Sequence, residues 1–381
     1  MTDSAPSRPD RQGNSGPRPR SGTGCEIESL PDLEARLAEH GSLAECYVQS
    51  LDLTGHSQAL RQTDVTRAVF LGCSFEPGVE AVLETGGALV FPTLPDLPFN
   101  PYRSGLYTSA ELYAGLEQGY RYTLDARVYR WWRYVGQHRS LTSELAMTLH
   151  DHAITEALDD VGLNGAVGVM GGHQMLRGSA GYHEAAGLGR ALAASGRTVI
   201  TGGGPGAMEA VNLGAALAGA RTELHAALAL LAERPRFAED VASWVGVGLA
   251  VRNRWELSGR SYGVPTWLYG HEPPNVFSAG IAKLFSNAIR EDVLLRHASG
   301  GLICLPGAAG TVQEIFQAVT PRFYALPDEP IPPLILVGID YWTKAQPAWP
   351  LLAALADGRP MATAIHLVDS AADVPALLAT T

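Results

Sequence analysis

Lysine is nearly absent from this chain of 381 residues. Of its 28 basic residues, only Lys283 and Lys344 are lysines, and the rest are arginines. Pyridoxal-phosphate chemistry needs a lysine for its Schiff base. Lys283 falls within a predicted helix, and Lys344 falls in a turn-like stretch remote from the glycine-rich segments. Amino-acid decarboxylation of that kind is therefore disfavoured.

Cysteine is also scarce, and long apolar runs are missing. The four cysteines, Cys25, Cys46, Cys73 and Cys304, are far apart and form no C-x-x-C pair. Neither a disulfide framework nor a cysteine zinc site is predicted, and a reducing compartment fits best. No apolar stretch approaches the roughly 18 to 20 residues that span a bilayer, and the N-terminus lacks the apolar core of a signal peptide. We expect a cytoplasmic protein with no membrane partner.

Positive charge is in deficit, with 28 Lys and Arg against 39 Asp and Glu and a net charge of −11. A general nucleic-acid binder needs a basic face that releases counterions from the phosphates, so no nucleic-acid partner is expected. The 46% of hydrophobic and 18% of charged residues are typical of a globular protein. At about 150 residues per domain, the length predicts two or three domains.

The composition changes along the chain and predicts three regions. Residues 1 to 24 are mostly Ser, Pro, Gly and Arg, which predicts a disordered tail, although its arginines could contact an acidic partner. Residues 25 to 140 predict a smaller N-terminal α/β unit, in which Arg67–Cys73 and Gly87–Pro92 read as strands around a helix. The strand and helix signals of residues 160 to 381 predict a larger α/β domain.

Aromatic residues are concentrated in the second half of the predicted N-terminal unit. Seven of the thirteen tyrosines, together with Trp131 and Trp132, lie between Tyr102 and Tyr134. A nucleotide base could stack there. The helical spacing of the apolar residues favours a different interpretation, in which aromatic-rich helices pack on the next domain.

Strands and helices alternate in the larger domain. The predicted strands are 166–170, 197–201, 262–269, 301–305, 333–339 and 364–368, and the helices include 181–195, 206–218 and 278–296. Residues 221–259 interrupt this alternation of strands and helices and predict a helical insertion, although Trp244–Val251 could be a strand. This alternation predicts an α/β fold with a Rossmann-like parallel sheet and helices on both faces. In such sheets ligands bind beyond the carboxyl ends of the strands.

Glycine clusters follow three of the predicted strands, and the first is the weakest signal. Gly171, Gly172 and His173 come directly after the strand that ends at Met170. Glycine there allows the backbone to approach a ligand closely, and the histidine could reach a phosphate or a base. A tight turn with an exposed histidine explains the same residues equally well.

The second cluster lies between a strand and a helix. Successive glycines let backbone N–H groups face an anion, and the helix N-terminus adds partial positive charge. The segment lacks the lysine of a triphosphate-binding loop, so a monophosphate is the expected ligand. The residues assigned to this binding loop are Gly202, Gly203, Gly204, Gly206 and Met208.

The third cluster contains Gly307 and Gly310 and continues into Thr311 and Glu314. The spacing of Thr311 and Glu314 is that of a capping box, in which the glutamate only caps its own helix. Alternatively, the glycine-rich loop contacts a ligand, and the Glu314 carboxylate in the first turn of the helix meets the sugar of that ligand.

Arg290 lies shortly before this cluster, in the predicted helix 278–296. It lies away from the apolar face of that helix, so the ordinary interpretation is a solvated side chain. Elsewhere, His150 and His152 form an H-x-H pair without further ligands at convincing spacing, so no metal site is predicted.

Two of these motifs together resemble the LOG ("Lonely Guy") family of nucleotide 5′-monophosphate phosphoribohydrolases. They are G-G-G-P-G-A-M-E-A at 202–210 and P-G-x-x-G-T-x-x-E at 306–314, with an arginine upstream of the second. The resemblance implies a Rossmann-like fold, a homodimer and hydrolysis of a nucleoside monophosphate to free base and ribose 5-phosphate without a cofactor. It implies that Glu314 and Arg290 are the catalytic pair.

The chain departs from the family pattern at two positions. Ala308 stands where a second glycine is expected, and Glu291 stands where a lysine usually follows the arginine. A second function therefore stays open, a nucleotide-binding sensor that has kept the glycine loops and lost turnover. The glutamate at position 314 favours the enzyme, whereas Ala308 and Glu291 favour the sensor.

Overall fold

The chain folds into two compact units, Met1–Thr93 and Leu94–Thr381. The computed structural model describes residues 25–219, 221–255, 257, 259–268 and 272–378. The predicted tail of residues 1 to 24 lies outside these ranges. Within the described ranges, no helix is both long and apolar enough to cross a membrane.

The first unit is a small parallel sheet whose strands alternate with helices. Its described elements are β1 (Glu26–Ile27), α1 (Leu30–His40), β2 (Tyr47–Gln49), α2 (Ser57–Leu60), β3 (Val69–Leu71), α3 (Val79–Thr85) and β4 (Leu89–Phe91). The strands are hydrogen-bonded in chain order, and each pair is parallel. Their core consists of buried aliphatic residues together with Phe70 and two cysteines, Cys46 and Cys73.

Successive turns of this unit repeat the same backbone path. Tyr47 pairs with Val69, and the Ser42 side chain bonds to Asp64, 22 residues further on. Left-handed backbone conformations recur at the same interval, at Glu45 (φ 60°) and Arg67 (φ 57°). The unit is therefore a short solenoid of coils of about 22 residues, in which each coil packs on its neighbours.

The second unit contains the larger sheet. Its described elements are α4 (Ser109–Leu112), α5 (Leu124–Gln137), α6 (Leu141–Asp160), β5 (Val167–Met170), α7 (Ala180–Ala194), β6 (Val199–Thr201), α8 (Ala207–Ala216), α9 (Arg221–Leu231), α10 (Val241–Arg254), β7 (Ser261–Gly263), β8 (Gly280–Ile281), α11 (Asn287–His297), β9 (Leu302–Cys304), α12 (Ala309–Phe323), β10 (Leu334–Val337), α13 (Ala348–Ala356), β11 (Ile365–Val368) and α14 (Val374–Leu378).

The seven strands of this sheet are all parallel, in the order β11-β10-β9-β5-β6-β7-β8. The chain leaves the central β5 toward one edge and later returns to β9 on its other side. The predicted α/β fold with a Rossmann-like parallel sheet is confirmed. The carboxyl ends of β5 and β9 flank the point where the strand order reverses, which is the usual ligand site of such sheets.

The boundary between the units lies about 45 residues before the predicted one near residue 140. Phe99, Tyr107, Leu112 and Val128 belong to the same hydrophobic core as the seven-stranded sheet. The aromatic-rich segment therefore packs within the larger unit, because its rings find their apolar partners there. This agrees with the packing interpretation of that segment.

Two predicted elements differ in the structure. The predicted helix 278–296 begins only at Asn287, because Gly280 and Ile281 pair with β7 and Ser286 caps the helix through the Ile289 amide. Lys283 consequently lies before the helix. The strand predicted over 262–269 is limited to Ser261–Gly263, since a proline at 265 cannot donate to a ladder. The alternative strand at Trp244–Val251 is helical and belongs to α10.

Candidate active site

The three glycine clusters follow adjacent strands, β5, β6 and β9. The Gly172 amide donates to the carbonyl of Pro306 at 2.9 Å, and the Ala207 amide donates to the carbonyl of Gly172 at 3.2 Å. A Cβ atom on Gly172 would lie 3.2 Å from the Pro306 oxygen, so a side chain there would crowd this carbonyl. The first cluster is thus the bridge between the other two.

Arg290 and Glu314, 24 residues apart, meet beside these loops. Arg290 Nη1 donates to Glu314 Oε1 at 3.1 Å, and Arg290 Nε donates to the backbone oxygen of Val264 at 2.7 Å. Both side chains are buried, with residue exposures of 7% and 6%. The interpretation of Arg290 as a solvated side chain is therefore wrong. The sequence could not show that Arg290 is buried, because the predicted helix begins too early.

Glu314 does not cap its own helix. The N-cap position of α12 is Ala308, which makes no side-chain cap bond, and Thr311 lies inside the first turn. The Glu314 carboxylate contacts Arg290 instead. The capping-box interpretation therefore fails, because the helix begins earlier than that motif requires.

A second carboxylate shares the same guanidinium. Glu291 Oε1 accepts from Arg290 Nη1 at 2.6 Å, and Glu291 is 1% exposed. Its Oε2 is buried and has no hydrogen-bond partner in the described part of the chain. Burial alone would lower the pKa of Arg290, but the charges of Glu314 and Glu291 raise it above its ordinary value. Arg290 is therefore cationic and held between two carboxyl groups.

Burial raises the pKa of Glu314 to about 7. The charge of Arg290 opposes this rise, and the charge of Glu291 adds to it. A carboxyl group whose pKa lies near neutral pH, beside the carboxyl ends of parallel strands, is a marker of a functional site. Glu314 can therefore exchange a proton near neutral pH, which an ordinary glutamate does not.

The second glycine cluster is fixed by buried amide side chains. Asn275 donates through its backbone amide to the Gly203 carbonyl at 2.9 Å and through Nδ2 to the Gly204 carbonyl at 3.2 Å. Asn275 Nδ2 also bonds to Asn212, whose Oδ1 accepts from Thr201. These contacts hold two carbonyl groups of the loop in place. No local sequence pattern indicates Asn275, because its partners lie about 60 to 70 positions away in the chain.

Not every amide of this loop is available to a ligand. The Gly203 amide donates to Thr201 Oγ1 at 3.0 Å, and the Ala207 amide donates to the Gly172 carbonyl. The amides of Gly204 and Gly206 make no hydrogen bond within the described residues. Gly203 and Gly206 have φ values of 72° and 73°, which favour glycine. The predicted role of the Gly203 amide as an anion donor is therefore corrected.

Met208 and Gly202 lie on the Arg290 side of the loop. A Cβ atom on Gly202 would collide with Arg290 Nη2 and would lie 2.7 Å from the Met208 sulfur. Gly202 therefore allows the guanidinium to approach the loop closely.

The third cluster is anchored at Gly307, whose carbonyl accepts from the Tyr341 hydroxyl at 2.9 Å. A Cβ atom on Gly307 would collide with Thr311. Gly310 has open space around its Cβ direction, so packing does not require glycine there. Ala308 has φ −91° and is exposed, so alanine fits the loop without backbone strain.

A further side-chain contact, which the sequence did not reveal, joins the first glycine cluster to the loop between β7 and β8. His173 Nδ1 lies 3.2 Å from Glu272 Oε1, and both side chains are partly exposed. Burial raises the pKa of Glu272, while the charges of His173, Arg290 and Lys283 oppose the rise. Local spacing in the sequence does not indicate Glu272, because its partner His173 lies about 100 positions away.

Asp151 holds the start of the helix that carries Arg290. Its carboxylate accepts from the amides of Phe285 at 2.9 Å and Ser286 at 2.7 Å, and it pairs with His150 Nδ1 at 3.1 Å. His150 Nε2 in turn bonds to the Tyr107 hydroxyl at 2.8 Å. His150 is therefore engaged in the protein core. Among the described residues, no group of three or more His, Cys, Asp or Glu side chains could hold a metal ion.

We expect Asp151→Asn to lower the free energy of unfolding by about 2 kcal/mol, because an amide N–H would then face two backbone donors. Urea denaturation measures this loss. The matched control is Asp159→Asn on the same helix, whose half-exposed side chain pairs with Arg296 at 3.0 Å and should contribute less than about 1 kcal/mol. A loss no larger than that of the control would show that Asp151 does not hold α11.

Comparisons with known proteins add little at the level of sequence. No protein-family model matches this sequence, and no curated protein matches it. Solved structures of other proteins are similar to part of the chain, among them the following two. One is the molybdenum cofactor binding protein from the phototrophic bacterium Rippkaea orientalis, with 16% identity, a TM-score of 0.35, and coverage of 56% of this chain and 95% of that one.

The other is TM1055, a structural genomics target, with 21% identity and a TM-score of 0.36. That similarity covers 57% of this chain and 99% of that chain. TM-scores of this size carry no argument about function. The class of the protein therefore rests on its own architecture, a parallel-sheet α/β fold with a buried arginine–glutamate pair at the strand ends.

Proposed function

We propose that this protein hydrolyses the N-glycosidic bond of a nucleoside 5′-monophosphate. One observation supports this most directly: the buried pair of Arg290 and Glu314, 3.1 Å apart, lies beside glycine loops at the carboxyl ends of parallel strands. The second LOG-like motif of the sequence contains Glu314, and Arg290 is the arginine upstream of that motif. In the proposed reaction, water attacks C1′, the bond from C1′ to the base breaks, and free base and ribose 5-phosphate are released.

Cleavage of this bond develops positive charge on the sugar. A carboxylate beside C1′ stabilises that oxocarbenium character and orients the attacking water. We assign this role to Glu314. Arg290 keeps the Glu314 carboxylate in place and offers positive charge toward the phosphate or ribose. The water delivers its oxygen to C1′, and the departing base takes up a proton.

We assign binding of the 5′-phosphate to the loops of the second and third glycine clusters. The unoccupied amides of Gly204 and Gly206, with that of Met208 at the start of α8, are donors of the kind that bind phosphate. The first-turn amides of α12 at Gly310 and Thr311 are further donors, because the opening N–H groups of a helix have no partner within it. Gly171 and Gly172 keep these loops adjacent, and His173 lies at the rim.

The test is to incubate the purified protein with a panel of nucleoside monophosphates and to measure released base by chromatography. We expect release from at least one purine monophosphate and none from the matching nucleoside, which lacks the phosphate. Binding of a nucleotide without release of base would support the sensor alternative. The Glu291 carboxylate favours that alternative, since it competes with substrate for Arg290.

We also propose that the protein is a homodimer, as the family resemblance implies. The helix that carries Arg290 exposes Ile289, whose residue exposure is 40%. An apolar side chain next to a site residue fits a two-fold interface beside that site. Light scattering at micromolar concentration should give about twice the 40.4 kDa chain mass. A mass near 40.4 kDa would contradict the dimer.

A further inference from the structure

A cavity of about 340 Å³ adjoins the glycine loops but does not include the Arg290 and Glu314 pair. It shares His173 and Gly206 with the first two clusters. Its volume is at the lower end of the range for small-molecule sites, so it suits a ring-sized group rather than a peptide. None of the roles assigned to Glu314, Arg290 and the glycine loops in the proposed reaction uses this cavity.

Its wall comes from the insertion between β6 and β7. Phe237, in the loop between α9 and α10, and Trp244, in α10, line the cavity together with Met175 from the loop after β5. Phe237 and Met175 are partly exposed, whereas Trp244 is buried. The cavity thus offers an aromatic and a thioether side chain, both of which suit the face of a flat ring.

A buried ion pair forms the rigid floor. Arg177 Nε donates to Glu209 Oε2 at 2.9 Å, and the guanidinium lies 4.0 Å from the centre of the Trp244 ring. The Tyr182 hydroxyl donates to the same carboxylate at 2.9 Å. Three of the five N–H donors of Arg177 are engaged, and its side chain is buried, so the guanidinium is fixed against the carboxylate.

The cavity is within reach of the proposed reaction centre. Gly202 touches the Arg290 guanidinium, whereas Gly206 lines the cavity. These glycines are four residues apart, so their separation is at most about 14 Å. One small ligand can therefore contact the second glycine cluster, the arginine–glutamate pair and the cavity at once.

We propose that this cavity receives the aromatic base of the nucleotide, with Phe237 packing on the face of the ring. The inference rests on the proposed function, because it assigns the base of the same substrate to the insertion. The insertion is then a specificity element, since its residues contact the leaving group and leave the sugar phosphate untouched.

The experiment compares AMP with ribose 5-phosphate, which lacks the base. Both affinities are measured by calorimetry on the full chain, in a Glu314→Gln background that keeps AMP intact. Phe237→Ala removes the stacking surface and should weaken AMP about tenfold, while ribose 5-phosphate stays within about twofold. Ala238→Trp fills the cavity from an exposed position and should produce the same selective loss. Phe323→Ala, a partly buried phenylalanine outside the cavity, is the matched control and should change neither affinity.

The outcomes separate this inference from the proposed function. Selective loss of AMP in both cavity variants supports the assignment. Unchanged AMP affinity in both, or equal loss of the two ligands, overturns it. If the parent protein binds AMP no more tightly than ribose 5-phosphate, the cavity does not hold the base, although the phosphate loops stand. If neither ligand binds the parent protein, the proposed function itself fails.

Discussion

Replacing Glu314 by glutamine is expected to lower turnover of nucleoside monophosphates by roughly 10²- to 10³-fold, while nucleotide affinity stays within several-fold. Glutamine keeps the shape and the hydrogen bond to Arg290 but not the negative charge that faces the sugar in the transition state. Initial rates of base release measure the first quantity, and calorimetry measures the second. A variant that retained more than about a tenth of the activity would remove Glu314 from the mechanism.

The same substitution also distinguishes a catalytic carboxylate from a structural one. The pKa of Glu314 is raised to about 7 in the folded protein, against an ordinary value of 4.5. The folded state therefore binds more protons than the unfolded state between these values, and this group costs stability as the pH rises from about 4.5 through 7. At pH 8 the variant should be at least as stable as the parent in urea. Marked destabilisation would indicate a structural role.

Removing the charge of Glu291 is expected to shift the acid limb of the activity profile to lower pH. Glutamine at 291 can still accept the bond from Arg290, but it no longer raises the pKa of Glu314. The active carboxylate then forms at lower pH, and we expect the midpoint to fall from about 7. A fall of about one unit is expected from the loss of one nearby charge. At pH 6 the rate of the variant, as a fraction of its own maximal rate, should therefore be several-fold higher than the same fraction for the parent.

A profile of rate against pH for free-base release tests this prediction. The matched control is Asp292→Asn, which removes one negative charge from the next position of the same helix, where the side chain is exposed. Its midpoint should coincide with that of the parent. An unchanged acid limb in Glu291→Gln would mean that the charges of Glu291 and Glu314 are not coupled.

The sequence predicted the larger sheet well because strand and helix signals there are local. Short apolar runs such as Leu302–Cys304 are followed by glycines and then by helices, and parallel topology makes those ends adjacent. Glu314 stood out for the same reason, since it follows a glycine loop in the chain. Its contact with Arg290 depended on tertiary structure, because a strand pairing at Gly280 delays the start of the helix.

Other features had no local signal. Asn275 and Glu272 lie in the loop between β7 and β8 and act through contacts with residues about 70 and 100 positions away. The repeat of the first unit was missed because Glu45 and Arg67 share a backbone conformation but not a side-chain type. Spacing within a sequence cannot show either kind of relation.

The Phe285 and Ser286 amides, just before α11, donate hydrogen bonds to Asp151. These bonds set a lower limit on the length of chain that can form this site. The segment from Leu94 to Asp160 precedes the seven-stranded sheet and supplies Asp151, while Asp125 of the same segment pairs with Lys283 at 2.6 Å. A shortened protein that begins at β5 would keep every glycine loop and still lose the support of Arg290. Transplanting this arginine–glutamate pair and its glycine loops to another scaffold would therefore require the preceding aromatic helices as well as the motifs.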